Sequence, residues 1–178
     1  MKSVVIVATA VLVACAGVLV YLGFFGTVEV REQDMGPYLL VYREHVGDYG
    51  GTAVIQEEVC SELHDGEKVP VSRGFGLYYD DPRAVKKENL RSIAGCILEE
   101  RDYPRIAELK KRHLVREYAR TRCLVAEFPF KGTLSIFAGV ICVYPRLEEY
   151  AREKKLGKGP VMEIYDIPGK KIVYLMQL

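Results

Sequence analysis

The chain has 178 residues, 49% of them hydrophobic, with 25 Lys+Arg against 24 Asp+Glu and a formal net charge of +1. A balanced charge with no long block of one sign argues against a nucleic-acid partner and against a charged tail. Once an N-terminal apolar run is set aside, about 150 residues remain, enough for one domain with its own core.

The apolar run is Val4 to Phe25, VVIVATAVLVACAGVLVYLGFF, with no charged residue. About 22 residues at about 1.5 Å each would span about 33 Å, sufficient for a bilayer's hydrocarbon core. Tyr21, Phe24 and Phe25 suit an interfacial aromatic belt. A cleavable signal would have a shorter apolar core and a small-x-small site. A lipoprotein signal at Leu12-Val13-Ala14-Cys15 would turn polar after the cysteine, and this one does not. The expectation is an uncleaved transmembrane anchor over residues 1–27, a lipid-bilayer contact through residues 4–25, and a globular domain over 28–178. Lys2 favours a cytosolic N-terminus by the positive-inside rule.

Within the domain, Tyr38 to Val46 (YLLVYREHV) is rich in β-branched and aromatic residues and reads as a strand. Gly47, Gly50 and Gly51 form a turn. Thr52 to Leu63 then places Ile55, Val59, Cys60 and Leu63 at helical spacing, with Thr52 as N-cap. Phe75 to Asp80 and Arg91 to Glu99 read as strands. Ile106 to Lys111 reads as a linking helix, and His113 to Tyr118 as a short strand.

The second half repeats the order: a strand at Cys123 to Phe130, then a helix opened by Lys131-Gly132-Thr133 and running through Val143. Pro145 is expected to interrupt it, with Arg146 to Leu156 continuing as an amphipathic, charge-faced helix. Pro160 to Asp166 and Lys171 to Leu178 close as a hairpin. Leu77-Tyr78-Tyr79-Asp80 matches Glu163-Ile164-Tyr165-Asp166 at one offset, Gly51-Thr52 matches Gly132-Thr133, and Glu44 matches Glu127. The domain therefore reads as α+β: duplicated β-α-β-β modules forming a curved antiparallel sheet with helices on one face. A cleft on the open face along the seam between the copies is the default ligand site.

The chemistry-bearing residues are few. There is no Gly-x-Ser-x-Gly, no phosphate-binding loop and no His-Glu-x-x-His, so no catalytic set, cofactor or metal is expected. His45, His64 and His113 read as surface or core residues. Cys60, Cys96, Cys123 and Cys142 form no Cys-x-x-Cys pair; they read as small buried residues of a reducing compartment, with two disulfides as the alternative. Glu163 stands among apolar neighbours, and strand alternation puts it on one face with Val161 and Tyr165, opposite in kind to Phe75, Leu77 and Tyr79 of the first copy. A carboxylate among aromatics could bind a cation, or act as a base if desolvated. The plainer reading is an exposed strand glutamate paired with a lysine such as Lys171. The candidate ligand-binding set is Glu163, Tyr165, Tyr79 and Tyr78, with Tyr174 near the same seam.

GDYG (Gly47 to Gly50), LYYDDP (Leu77 to Pro82) and EIYD (Glu163 to Asp166) resemble the gyrase-inhibitor-like effector-binding domains. That resemblance implies the duplicated fold, a central cleft for small cationic or aromatic ligands, and Glu163 as the pocket carboxylate. A few members of that family are hydrolases of electrophilic small molecules, which would use Glu163 with a tyrosine such as Tyr79 or Tyr165. The apolar N-terminus leading into GTVEV (Gly26 to Val30), with GLYYDDP (Gly76 to Pro82), FPFKGTLSI (Phe128 to Ile136) and MEIYD (Met162 to Asp166), resembles ER-phagy receptors that join an anchor to a cytosolic domain of this type. This implies the endoplasmic reticulum membrane, the domain in the cytosol, and protein partners at that membrane. Those receptors continue into an acidic tail that binds autophagosomal proteins, whereas this sequence ends at Leu178. Tyr144-Pro145-Arg146-Leu147 has an aromatic-x-x-aliphatic pattern, placed at the expected helix break.

Overall fold

The structure is a computed structural model describing residues 2–178, without the side chains at positions 2–5, 8, 10 and 15. The first element, α1 (Lys2–Leu22), ends where Gly23 adopts φ +93°. The Gly23 amide donates to Val20 O and the Phe24 amide to Leu19 O, both at 3.1 Å, which closes the helix in a Schellman turn. Lys131 supplies the cation this helix end favours: its Nζ donates to Tyr21 O at 2.6 Å and lies 4.6 Å from the Tyr21 ring centre.

Among the described residues, no helix is long and apolar enough to cross a membrane. This overturns the expected transmembrane anchor, its bilayer contact and the endoplasmic reticulum membrane placement. The apolar run is not one helix. It is cut at Leu22, and Leu22 and Phe24 turn onto the domain to pack with Leu124, Ala126 and Phe128. Val4 and Val5 of the expected span lie outside the described side chains.

Eight strands follow: β1 (Val30–Met35), β2 (Tyr38–Val46), β3 (Arg73–Tyr78), β4 (Arg91–Leu98), β5 (Leu114–Tyr118), β6 (Thr121–Pro129), β7 (Val161–Asp166) and β8 (Lys171–Gln177). They form one antiparallel sheet in the order β1-β6-β8-β7-β3-β4-β2-β5. Three helices complete the domain: α2 (Thr52–Ser61), α3 (Ile106–Leu109) and α4 (Thr133–Glu153). The modules are β2-α2-β3-β4 and β6-α4-β7-β8, joined at the sheet's centre by β3 against β7. The expected α+β architecture stands, apart from the membrane helix.

Strand alternation sorts the core into two layers. One face carries Leu40, Phe75, Leu77, Ile93, Cys123, Val125, Met162, Ile164, Val173 and Leu175, all buried. This is the inner face of a strongly curled sheet. Short links at Gly36-Pro37 and Ala119-Arg120 join strands from its opposite flanks, and the Tyr118 hydroxyl of β5 reaches Cys123 Sγ of β6. The outer face carries the helices: α2 over Val41, Cys96 and Leu98, and α4 over Leu124, Ala126, Phe128, Ile172 and Tyr174.

Several local expectations change. Thr52 is not an N-cap. It is the first helical residue after Gly51, and its hydroxyl donates to Tyr49 O at 2.7 Å. Pro145 does not break α4, because Ala138 and Val143 before it and Leu147 and Ala151 after it are all buried on the sheet. Packing there outweighs one lost hydrogen bond. The cysteines are not all unpaired: α2 brings Cys60 over β4, where it forms a disulfide with Cys96 at a Cα–Cα distance of 6.0 Å. Cys123 and Cys142 are free, so there is one bridge among these four cysteines and not two.

Candidate functional site

β3 and β7 pair with Gly76 opposite Glu163, Phe75 opposite Ile164 and Leu77 opposite Met162. A twofold through the Gly76–Glu163 pair superposes the inner-face residues Phe75 on Met162 and Leu77 on Ile164, and the outer-face Tyr78 on Tyr165. The sequence match of Leu77 with Glu163 is therefore one residue out of register, and such a slip moves every side chain to the other face. The match of Glu44 with Glu127 agrees with the strand pairings.

The correction settles which candidates meet. Glu163, Tyr165 and Tyr78 point to the helical face, at the seam between α2 and α4. Tyr79 does not join them. It packs on the inner face, where its hydroxyl accepts a hydrogen bond from Arg116 at 2.6 Å. The site is thus on the covered face of the sheet and not on the open one.

Glu163 is 3% exposed and is the centre of the group. Its Oε2 accepts from the Tyr165 hydroxyl at 2.6 Å, and its Oε1 from the Tyr144 hydroxyl of α4 at 2.8 Å. Gly76 makes room opposite: a Cβ there would meet the Tyr78 hydroxyl at 2.5 Å. Tyr78 in turn lies 3.3 Å from Thr52 Oγ1, at the first turn of α2, and tilts against the Tyr49 ring at 4.7 Å. Tyr174 pairs across from Glu163 on β8 and meets Tyr144 edge-on at 5.9 Å, with its hydroxyl buried and unpartnered.

The electrostatics follow from dryness. Burial pushes the Glu163 pKa above the ordinary carboxylate range, against the lowering effect of the Tyr165 and Tyr144 hydrogen bonds. Tyr78, Tyr144, Tyr165 and Tyr174 are all raised, first by burial and then by the nearby carboxylate. Among the described residues, no cation pairs with Glu163; Lys171, its expected partner, bonds to Glu127 at 3.1 Å instead. Two cavities, of about 740 and 370 Å³, lie around Tyr38, Arg73 and Tyr103 and around Ile106, Lys110 and Val115, and neither is lined by Glu163. Among the described residues, no group of three or more His, Cys, Asp or Glu could hold a metal ion.

Tyr144 and Thr52 escaped sequence reasoning. The aromatic-x-x-aliphatic pattern of Tyr144 to Leu147 is not displayed to solvent, since Tyr144 points into the seam and Leu147 into the core. The available signal was spacing: Tyr144 precedes the buried Leu147 and Ala151 by three and seven residues, on the sheet-facing side of α4.

No family model matches the chain. It is 32% identical over 162 residues to testis-expressed protein 264 of Homo sapiens, covering 86% of this chain and 49% of that protein. It is 31% identical over 145 residues to the homolog in Mus musculus, covering 78% of this chain and 45% of that protein. The chain thus spans about half the length of these curated relatives. Among solved structures, the C-terminal domain of EcmrR superposes with a TM-score of 0.56 at 8% identity, covering 84% of this chain and 96% of that one. EcmrR within its DNA complex gives 0.61 at 10% identity, covering 84% of this chain and 57% of that one. The chain therefore has the fold of the EcmrR C-terminal domain and is similar in sequence to the testis-expressed 264 proteins.

Proposed function

We propose that this domain is a binding module that takes a small aromatic cation at the seam between its two copies, with Glu163 as the charged contact. The observation that supports this reading most directly is a buried carboxyl group with no counter-cation among the described residues, bonded to two tyrosines where the two modules meet. Burial disfavours the charged form of Glu163 in the closed seam. An entering cation reverses that preference, because charge attraction favours the carboxylate and the ring faces favour the cation. Contact with Glu163 Oε1 requires Tyr144 to leave, since its hydroxyl donates to that oxygen at 2.8 Å. The hydrolase alternative loses Tyr79, which lies on the other face, and keeps Tyr165, whose hydroxyl donates to Glu163 Oε2 at 2.6 Å.

The test is a thermal-shift titration of the full chain with aromatic quaternary ammonium and phosphonium compounds, with Glu163→Gln as control. Ligand at a hundredfold excess over Kd should stabilise the protein by about 2.7 kcal/mol. Binding should release a proton and strengthen as pH rises, and both effects should vanish in Glu163→Gln. A wild-type protein that no cation stabilises would remove the reading.

A second reading is an adaptor in turnover of the endoplasmic reticulum, which the resemblance to the ER-phagy receptors implies. The outer side of α4 supports a protein partner, since Leu134, Phe137 and Ile141 stand 62%, 64% and 61% exposed at helical spacing. Co-precipitation of the full chain with autophagosomal ubiquitin-like proteins tests it, and failure to capture them returns the weight to the ligand.

A further inference from the structure

Two arginines lie against tyrosine rings on the inner face of the curled sheet, and their surroundings differ. Arg73 sits 5.9 Å from the Tyr38 ring centre and forms a two-pronged pair with Glu99, both contacts at 3.1 Å. Arg116 of β5 sits between two rings, 5.3 Å from the Tyr42 centre and 5.9 Å from the Tyr79 centre. One of its terminal nitrogens donates to the Tyr79 hydroxyl at 2.6 Å, and its Nε is buried with no acceptor. Among the described residues, no carboxylate lies within ion-pair distance of it.

That isolation is unusual within this molecule. Among the described residues, every other arginine except Arg152 has a carboxylate within ion-pair distance, and Arg152 is exposed on α4. Arg116 is half-buried. Its neighbour Glu117 alternates to the opposite face of β5. The corresponding position in the other copy, on β1, is the neutral Gln33. A partly desolvated guanidinium, oriented by two rings and one hydroxyl yet left without an anion, is an incomplete pair.

We propose that Arg116, with Tyr42 and Tyr79, is a binding site for a carboxylate carried on an aromatic frame. The guanidinium fork matches a planar carboxylate, and the tyrosine rings that hold the guanidinium also flank the ligand's ring. Leu114, opposite Tyr42, and Val46, on the same face of β2, are 52% and 66% exposed and extend the apolar floor at that rim. This site lies on the opposite face of the sheet from Glu163 and takes the opposite charge.

The experiment is a titration of the full chain with 2-naphthoate, followed by the ¹⁵N shift of the Arg116 Nε–H and by calorimetry. Saturable binding that moves this resonance is expected, with 2-naphthamide, the neutral isostere, at least about tenfold weaker. Arg116→Gln should abolish binding, and Arg116→Lys should weaken it about tenfold by keeping the charge without the fork. Glu163→Gln should bind naphthoate as the wild type does. The proposal is overturned if naphthoate does not saturate the folded wild-type chain, if the amide binds equally well, or if Arg116→Gln retains affinity within about twofold. The amide comparison needs no substitution, so a poorly folded variant cannot mask the result.

Discussion

The two modules share a backbone plan and hold their helices by different means. In the first, α2 is joined covalently to β4 through Cys60–Cys96, and the sheet beneath is small, with Gly76 and Ala94 at the central positions. In the second, Met176 takes the place of Cys96, and the corresponding central positions are Glu163 and Tyr174. There α4 is held by apolar packing and by the Tyr144–Glu163 hydrogen bond. The polar cluster fits because the copies are unequal, with bulk on one side of the seam matched by its absence on the other. Exact repetition would place two carboxyls face to face or leave a void.

The largest expected effect tests the covalent half. Replacing Cys60 and Cys96 together by Ala frees a loop closed over a sequence separation of 36 residues, and should cost about 3–4 kcal/mol in urea unfolding. A loss near zero would mean that packing alone holds α2, as it holds α4, and the contrast between the modules would fall away.

The next effect tests the polar half. Glu163→Ala leaves a cavity and two tyrosine hydroxyls without their acceptor, and should cost about 3 kcal/mol. Glu163→Gln keeps the shape and one acceptor oxygen and should cost about 1 kcal/mol or less. The pH dependence sharpens this. The folded-state pKa of Glu163 is raised, so the folded chain holds this proton more tightly than the unfolded chain does. Its contribution is fully present below the unfolded glutamate pKa and is lost as pH rises through the folded one. The stability gap between wild type and Glu163→Gln should therefore move in favour of Gln with rising pH. A gap that stays constant from acid to neutral pH would mean that Glu163 is ionised throughout.

The smallest effect has the opposite sign. The Tyr174 hydroxyl is buried without a partner, so Tyr174→Phe should leave stability unchanged or raise it by about 1 kcal/mol. A loss above about 1 kcal/mol would show that this hydroxyl belongs to the Glu163 network.

What could be read from the chain follows the strength of each local signal. Tyr38 to Val46 is legible from its β-branched and aromatic composition, and Leu40 and Val41 are buried on opposite faces of the sheet. β1, with the sequence VREQDM, carries almost no apolar periodicity because it is an exposed edge strand, and it went unread. Pro145 misled because local propensity was set against a buried stripe that could not be seen in one dimension. The repeat was visible, but its register was not. Tyr78-Tyr79 against Ile164-Tyr165 offers two alignments one residue apart, and only the Gly76–Glu163 pairing chooses between them. Glu163 and Tyr165 survive either alignment, whereas Tyr79 belongs to the site under only one. The apolar N-terminal run was plain as composition, yet where its helix stops depends on Gly23 and on a lysine more than a hundred residues away. The isolation of Arg116 has no sequence signature at all, since a missing partner is a fact about three dimensions.

The two short links at Gly36-Pro37 and Ala119-Arg120 carry one more consequence. Each joins a strand on one flank of the sheet to a strand on the other, so the strand preceding each module completes its neighbour's edge and not its own. A half-length chain with one leading strand and one β-α-β-β unit would leave that strand without a ladder of its own. Two such chains would each lend the strand to the other and close as an intertwined symmetric dimer, and end-to-end fusion of that dimer has the topology of this molecule. The internal repeat is, in this sense, a swapped homodimer written on a single polypeptide.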